Sequence, residues 1–166
     1  MSPIRKAVID TGPLLSALVL NYQKKYSRRS SLDALLREPL RGSDYQDQFL
    51  RLLAAIPAKL TTSHVVAEIQ GHVNSAKLSW DERHRFWQAS IDLLIFWNLD
   101  ERLIRLLDIA ARQEMLPDIG IVDTGLIELA ARNNCVLITE DERTLARRAF
   151  TEQIECLLVK QLIPQV

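Results

Sequence analysis

Four carboxylates stand at points where the chain leaves a strand or enters a helix. Asp10 follows the β-prone run 4–9, and Asp141 follows the apolar run 135–138 and Thr139. Glu68 falls on a helix expected over 64–73, after a short strand at 59–61. Asp123 opens a helix expected over 123–132. Open parallel sheets bind ligands beyond the carboxyl ends of their strands, so acids from four segments could meet at one edge. Each also has an ordinary reading as a helix cap or a solvated side chain. If they converge, four ionised acids repel one another, and either their pKa values rise or a cation neutralises them. Oxygen-only ligands select hard ions, Mg²⁺ or Mn²⁺, over Zn²⁺. Such ions, held by carboxylates, equip a site for phosphodiester cleavage without a covalent nucleophile.

The elements that must position these acids alternate between short strands and longer helices. Thr11-Gly12-Pro13 ends the first strand, and Pro13 suits the first turn of the helix that follows. Ser63 is the expected cap of the helix carrying Glu68. Apolar residues recur at helical spacing over 80–96 and again over 100–115, before Pro117. The continuous run at 135–139 has the pattern of a strand covered on both faces. A helix over 142–149 and a strand near 156–159 close the pattern. This alternation predicts a three-layer α/β/α sandwich around a parallel sheet of about five strands. Residues 1–166 read as one domain, with a basic polar insertion at 22–43.

Composition narrows the function classes. Lys plus Arg number 21 and Asp plus Glu number 21, so the formal net charge is zero. That balance speaks against a charge-driven nucleic-acid binder or a polybasic membrane-surface protein. It hides an uneven distribution: ten acids face four arginines between Asp100 and Glu142. Lys24, Lys25, Arg28, Arg29, Arg37 and Arg41 concentrate in the insertion, and Arg143, Arg147 and Arg148 follow Asp141. Both groups are candidate contacts to a phosphate backbone. No apolar stretch approaches a membrane span, and an acid interrupts the N-terminus before a signal-peptide core can form. Cys135 and Cys156 sit in apolar surroundings and suggest buried thiols, with a cytoplasmic, reducing home as the simplest reading.

The ordered set of motifs resembles the PIN domain, a Mg²⁺-dependent nuclease fold. The matching pieces are Val8-Ile9-Asp10-Thr11-Gly12-Pro13, Thr61-Thr62-Ser63-His64-Val65-Val66-Ala67-Glu68, Val122-Asp123-Thr124-Gly125 and Val136-Leu137-Ile138-Thr139-Glu140-Asp141. The resemblance implies a metal-binding, catalytic quartet of Asp10, Glu68, Asp123 and Asp141, with the Thr139 hydroxyl helping to hold it. It further implies an RNA substrate, Mg²⁺ or Mn²⁺ as cofactor, a toxin–antitoxin context with a cognate antitoxin, and a homodimer. The segment 80–97 is the expected dimer surface. Two departures stand out: the insertion lengthens the stretch from Asp10 to Glu68, and Gly12 stands where many relatives carry Asn or Ser.

Other constellations weigh less. His64, Glu68 and His72 share a helix face, but they lack the His-Glu-x-x-His spacing of zinc proteases, and solvated or hydrogen-bonded histidines are expected. Trp80, Trp87 and Trp97 are expected in the core or a subunit contact rather than stacked on bases. A phosphotransferase using Asp10 as nucleophile would want an acid two residues on, where Gly12 stands. A catalytically silent scaffold that binds RNA or protein is the alternative to the nuclease.

Overall fold

The computed structural model describes residues 3–26, 31–36, 40–41 and 45–162. Five strands form one parallel sheet: β1 (Lys6–Ile9), β2 (Ala58–Thr62), β3 (Asp100–Arg102), β4 (Val136–Thr139) and β5 (Cys156–Leu158). Their spatial order is β3-β2-β1-β4-β5. The helices are α1 (Thr11–Tyr26), α2 (Gln46–Ala55), α3 (Ser63–Ser75), α4 (Trp80–Phe96), α5 (Leu106–Ala110), α6 (Leu116–Asn133), α7 (Leu145–Thr151) and α8 (Val159–Leu162). The result is the expected three-layer α/β/α arrangement.

The two central strands are the most buried. Every residue of β4 is buried, as are Ala7, Val8 and Ile9 of β1, which fits strands covered on both faces. Helix α1 is apolar around most of its circumference and therefore lies inside. It packs on α2, α3 and α4. Helix α6 packs against α5 and α7 and across β2, β1 and β4.

Strand order decides where a site can be. The chain builds β2 and β3 on one side of β1, then returns to place β4 and β5 on the other. The direction of winding reverses between β1 and β4, and the crevice at their carboxyl ends is the binding position such sheets provide. Register brings the two ends level: Ile9 pairs with Ile138, and the Asp10 amide donates to the Ile138 carbonyl at 3.0 Å. On the opposite neighbour, the Thr61 hydroxyl donates to the Ile9 carbonyl at 2.9 Å.

Three expectations need correction. Residues 100–115 do not form one helix: Asp100–Arg102 is the edge strand β3, followed by α5 and a 3₁₀ turn at Gln113–Met115. An edge strand made of charged residues carries no apolar alternation, and charge on an edge resists unwanted pairing. Leu103, Leu106 and Leu107, which carried the helical signal, are exposed. The cap of α3 is Thr62, whose hydroxyl accepts from the Val65 amide at 3.3 Å, rather than Ser63. Helix α7 starts at Leu145, not at 142, after a turn organised by Asp141. Tyr22 itself lies in α1 and is fully buried.

An ion-pair network fixes α6. Glu128, 8 % exposed, accepts from Arg112 and Arg132. Arg112 also donates to Glu152 at 2.8 Å, and Arg132 to Asp108 at 2.8 Å. Hydrogen bonds from Arg105 and Arg132 hold the Asp108 carboxyl far below the usual carboxylate range. Removing one partner of a buried pair leaves a charge uncompensated. Arg112→Ala is therefore expected to cost about 2–4 kcal/mol, read as a lower urea midpoint with an unchanged slope. A loss below about 0.5 kcal/mol would mean that Arg132 alone satisfies Glu128.

Candidate active site

At the switch point the chain opens into a cleft of about 310 Å³, lined by Asp10, Thr11, Gly12, Leu15, Ala34, Leu35, Glu68, His72, Asp123, Glu140 and Asp141. All four acids singled out in the sequence lie here. A larger hollow of about 750 Å³ opens among Pro3–Lys6, Ala130, Ala131 and residues 152–155, away from these acids. Its charged lining is Arg5, Lys6, Glu152 and Glu155, of mixed sign.

Each acid is placed by a different element and held by its own donors. Asp10 caps the junction of β1 and α1. Its Oδ1 accepts from the Thr11 amide at 2.5 Å, and its Oδ2 accepts from the Thr139 hydroxyl at 2.6 Å. Thr139 ends β4, and its Oγ1 in turn accepts from the Asp141 amide at 2.9 Å. Thr139 thus joins Asp10 to Asp141 through one side chain. Glu68, in the second turn of α3, accepts from the Thr11 hydroxyl at 2.5 Å. Asp141 accepts from the amides of Arg143 and Thr144, both at 3.0 Å, and from the Thr144 hydroxyl. It is at once a cap for the following turn and a wall of the cleft.

Asp123 is placed by a break in α6. Gly120 has φ 76° and ψ −179°, a backbone state that side-chain-bearing residues rarely adopt. The break starts a fresh helical turn, tied by the Thr124 hydroxyl to the Gly120 carbonyl at 2.6 Å. Asp123 therefore sits in the first turn of the segment 121–133, where the helix dipole favours negative charge. Its carboxylate has no hydrogen-bond partner among the described residues.

Repulsion among these acids is felt at Asp123 and at Asp10. Burial raises Asp123 to about 7, and Asp10, Asp141 and Glu68 add to the rise by repulsion. Burial likewise raises Asp10 to about 6, against the hydrogen bonds from Thr139 and Thr11, with Glu68 and Asp141 again repelling. Asp141 goes the other way: burial pushes it up, but the Thr144, Leu145 and Arg143 donors outweigh that and hold it below its ordinary value. Two acids are thus poised near neutrality beside one kept ionised.

A family profile described as PIN domain matches residues 33–151. The chain belongs to the PIN-domain family. No curated protein matches the chain significantly. PIN domains are generally nucleases that act on nucleic acids, and they usually use divalent metals. The matched span holds Glu68, Asp123, Thr139 and Asp141, while Asp10 lies before it and joins them through the β1–β4 pairing.

The donor chemistry of the PIN cleft fits a hard divalent cation: carboxylate oxygens from four elements, two of them held near neutrality by burial and mutual repulsion. The acids do not stand as a closed cage. Among the described residues, no three His, Cys, Asp or Glu side chains are gathered tightly enough to hold an ion as they are. Asp10, Glu68 and Asp141 are instead turned onto their own hydrogen-bond donors.

Two further polar residues line the cleft. Glu140 accepts from the Ser16 hydroxyl at 3.1 Å and lies against Gly12. A Cβ built on Gly12 would come within 2.8 Å of Glu140 Oε2. The carboxylate therefore takes the place a residue-12 side chain would fill. The sequence signal for this was the pairing of Gly12 with Ser16, one helical turn apart. His72, one turn beyond Glu68, also reaches the cleft, whereas His64 packs toward Gly125 with a buried Nδ1.

The basic residues divide. Arg143 and Arg147 are exposed, while Arg148 pairs with Glu152 at 3.3 Å. In the 22–43 segment, Lys24 pairs with Asp47 and Lys25 with Asp92, and Arg41 donates to backbone carbonyls. Arg28, Arg29 and Arg37 lie outside the described residues. Trp97 is buried and Trp87 packs on the core, whereas Trp80 is exposed and stacks on His84. Cys135 and Cys156 are free, and burial pushes the Cys156 thiol up to about 11. No helix among the described residues is long and apolar enough to cross a membrane.

Proposed function

We propose that this chain is a Mg²⁺- or Mn²⁺-dependent endoribonuclease that hydrolyses RNA phosphodiester bonds at the Asp10–Glu68–Asp123–Asp141 cleft. The observation that carries this reading is that Asp10, Glu68, Asp123 and Asp141, brought from four segments, line one cleft at the carboxyl ends of β1 and β4, where the other three repel an ionised Asp123. In this reading residues 1–166 form one PIN domain, with the segment 22–43 as an insertion in it.

Asp10, Glu68, Asp123 and Asp141 would hold the cation, which when bound supplies Lewis-acid neutralisation of the attacked phosphodiester and a more acidic water. Thr139 orients Asp10 through its hydroxyl and Asp141 through its amide contact. Thr11 orients Glu68. Asp123, raised to about 7, would hold the cation in its ionised form, so that binding would release its proton to solvent. Arg143 and Arg147, exposed beside the Asp141 turn, contact the RNA backbone.

A toxin–antitoxin setting with a cognate antitoxin belongs to the same reading. So does a homodimer: Ile91, Ile95 and Phe96 on α4 are exposed apolar residues that a second protein would cover.

The experiment is incubation of purified protein with unstructured RNA in Mg²⁺, Mn²⁺ or EDTA. Internal cleavage that requires a cation is expected. No cleavage in either cation, together with no Mn²⁺-induced rise in melting temperature, would return the fold to a binding scaffold. Glu140 gives a finer test. Gly12→Ala meets only the flexible end of Glu140, so it should cost little stability while displacing that carboxylate. Gly12→Ala and Glu140→Ala are each expected to slow cleavage about 10-fold, as loss of a supporting contact does. The double variant should be no slower than either, because both remove the same group.

A further inference from the structure

The acids are only part of the cleft. Ala34 and Leu35, from the 3₁₀ turn Ser31–Leu35, line it together with Leu15 of α1. This turn belongs to the segment that lengthens the chain between Asp10 and Glu68, read from its composition as a basic polar insertion. The structure gives it a different character.

The turn is pinned in place. Leu32 and Leu36, four residues apart, are 0 % and 2 % exposed, and Leu40 is also fully buried. Between them Asp33 is half-buried and Ala34 exposed, while Leu35 is half-buried, packed on the core along part of its surface and lining the cleft, as Ala34 does, with the rest. Gln23 of α1 donates to Asp33. Arg41 folds back over the turn, its Nε donating to the Leu36 carbonyl at 3.1 Å and its Nη2 to the Ala34 carbonyl at 3.2 Å. Its guanidinium thereby braces the backbone of the turn.

The cleft therefore has two kinds of lining: carboxylates suited to a cation and a phosphate, and a short apolar strip of Leu15, Ala34 and Leu35. A nucleotide has the matching halves, a charged phosphodiester and a flat apolar base face. In a duplex that face is covered by stacked neighbours and the base edge is paired, so only an unpaired, unstacked base can offer it. The volume of about 310 Å³ is at the small end for ligand pockets.

We propose that residues 31–36 are the specificity wall of this cleft. Leu35, with Leu15, takes the face of an unstacked base beside the attacked phosphodiester, and the pinned turn keeps a base-paired strand out. Arg41 is a positioning residue that acts through the carbonyls of Ala34 and Leu36. The proposal deepens the ribonuclease reading and rests on it for the bond that is broken, but not for the recognition of the base.

The test measures binding and cleavage separately. Fluorescence anisotropy follows a labelled unstructured RNA oligonucleotide, and the same sequence closed into a hairpin stem, in Ca²⁺ to suppress turnover. Cleavage of both is then measured in Mn²⁺. Wild-type protein is expected to bind the unpaired strand at least about 10-fold more tightly than the stem. Leu35→Ser should weaken the unpaired strand about 10-fold and leave the stem unchanged, as loss of partial leucine burial predicts. Leu35→Met should restore most of the affinity. Arg41→Ala should reduce the preference for the unpaired strand at least about 5-fold, with partial rescue by Arg41→Lys.

If all variants keep wild-type affinity and preference, the wall is overturned, whether or not RNA is cut. If the binding preferences change as described but nothing is cleaved in Mn²⁺, the wall stands and the ribonuclease reading fails.

Discussion

Replacing Asp123 with asparagine is expected to remove activity and, at the same time, to stabilise the cation-free protein. The first effect follows from the loss of one charged oxygen ligand at a site whose work is electrostatic. Deleting such a group costs at least about 10²-fold in rate. The second follows from the cause of its raised pKa. Asp123 is half-buried and faces Asp10, Asp141 and Glu68, so its ionisation is opposed by burial first and by three carboxylates after it. An uncharged amide of nearly the same shape removes that opposition. At pH 8 the gain is on the order of 1–2 kcal/mol, discounted for the solvent that reaches the cleft. In a chain of this length that is a rise of about 3–6 °C in melting temperature. Asp10→Asn should behave alike in rate, but less favourably in stability, because Asp10 accepts from Thr139 and Thr11. Single-turnover cleavage and thermal melts in EDTA on the same preparations separate this outcome from simple misfolding. A variant that loses activity and stability together would point to a structural role for the residue instead.

The cation-free protein is also expected to lose stability as pH rises through neutrality. Asp10 and Asp123 have native values of about 6 and about 7, above the ordinary carboxylate value of 3.8. For groups raised in the native state, the folded form binds more protons than the unfolded chain between the two values, so their contribution is fully present below about pH 4. It declines from there and is lost by about pH 7–8. Asp141 is lowered and has the opposite sign: its contribution is present above the ordinary value and is lost as pH falls below it. The melting temperature in EDTA should therefore peak in mild acid, near pH 5, and fall toward pH 8. With a divalent cation the alkaline fall should flatten, because a ligand that binds only the native state stabilises it and competes with protons for the same oxygens. Melts from pH 4.5 to 8.5, with EDTA and with Mn²⁺, check both limbs. A peak at pH 8 in EDTA would contradict the assigned directions.

The parts of this site legible in the sequence were those carried by strong local signals. Asp10 follows a β-prone run and Asp141 a continuous apolar one, and the winding rule for parallel sheets places residues after such strands at one edge. The place of Thr139 at a strand end was legible in the same way, but its part in the site came only from the family resemblance. Its hydrogen bond to Asp10, 129 positions away in the chain, depends on the β1–β4 register, which no local pattern encodes. Asp123 was read as the opening of a helix, and so it is in effect, because Gly120 breaks α6 three residues earlier. What stayed hidden lacked a local signature. Strand β3 is Asp-Glu-Arg, held in place by backbone pairing to β2 alone. The leucines after it mimic a helix face yet remain exposed. Helix α2 passed unremarked although Phe49 and Leu53 form its buried stripe. Glu140 looked like a spacer between Thr139 and Asp141 until Gly12 and Ser16 were placed beside it. Nor did the sequence show that Lys24 and Lys25 pair with Asp47 and Asp92, partners more than twenty residues away.

Calorimetric titration of Mn²⁺ into cation-free protein at pH 6.5, in two buffers of different ionisation enthalpy, tests most directly whether the four carboxylates act as one cation site. Saturable binding is predicted, with protons released because Asp10 and Asp123 are partly protonated at that pH. Asp123→Asn should bind more weakly and release fewer protons. Wild-type protein that takes up no Mn²⁺, or an Asp123→Asn variant with unchanged affinity and proton release, would contradict the account.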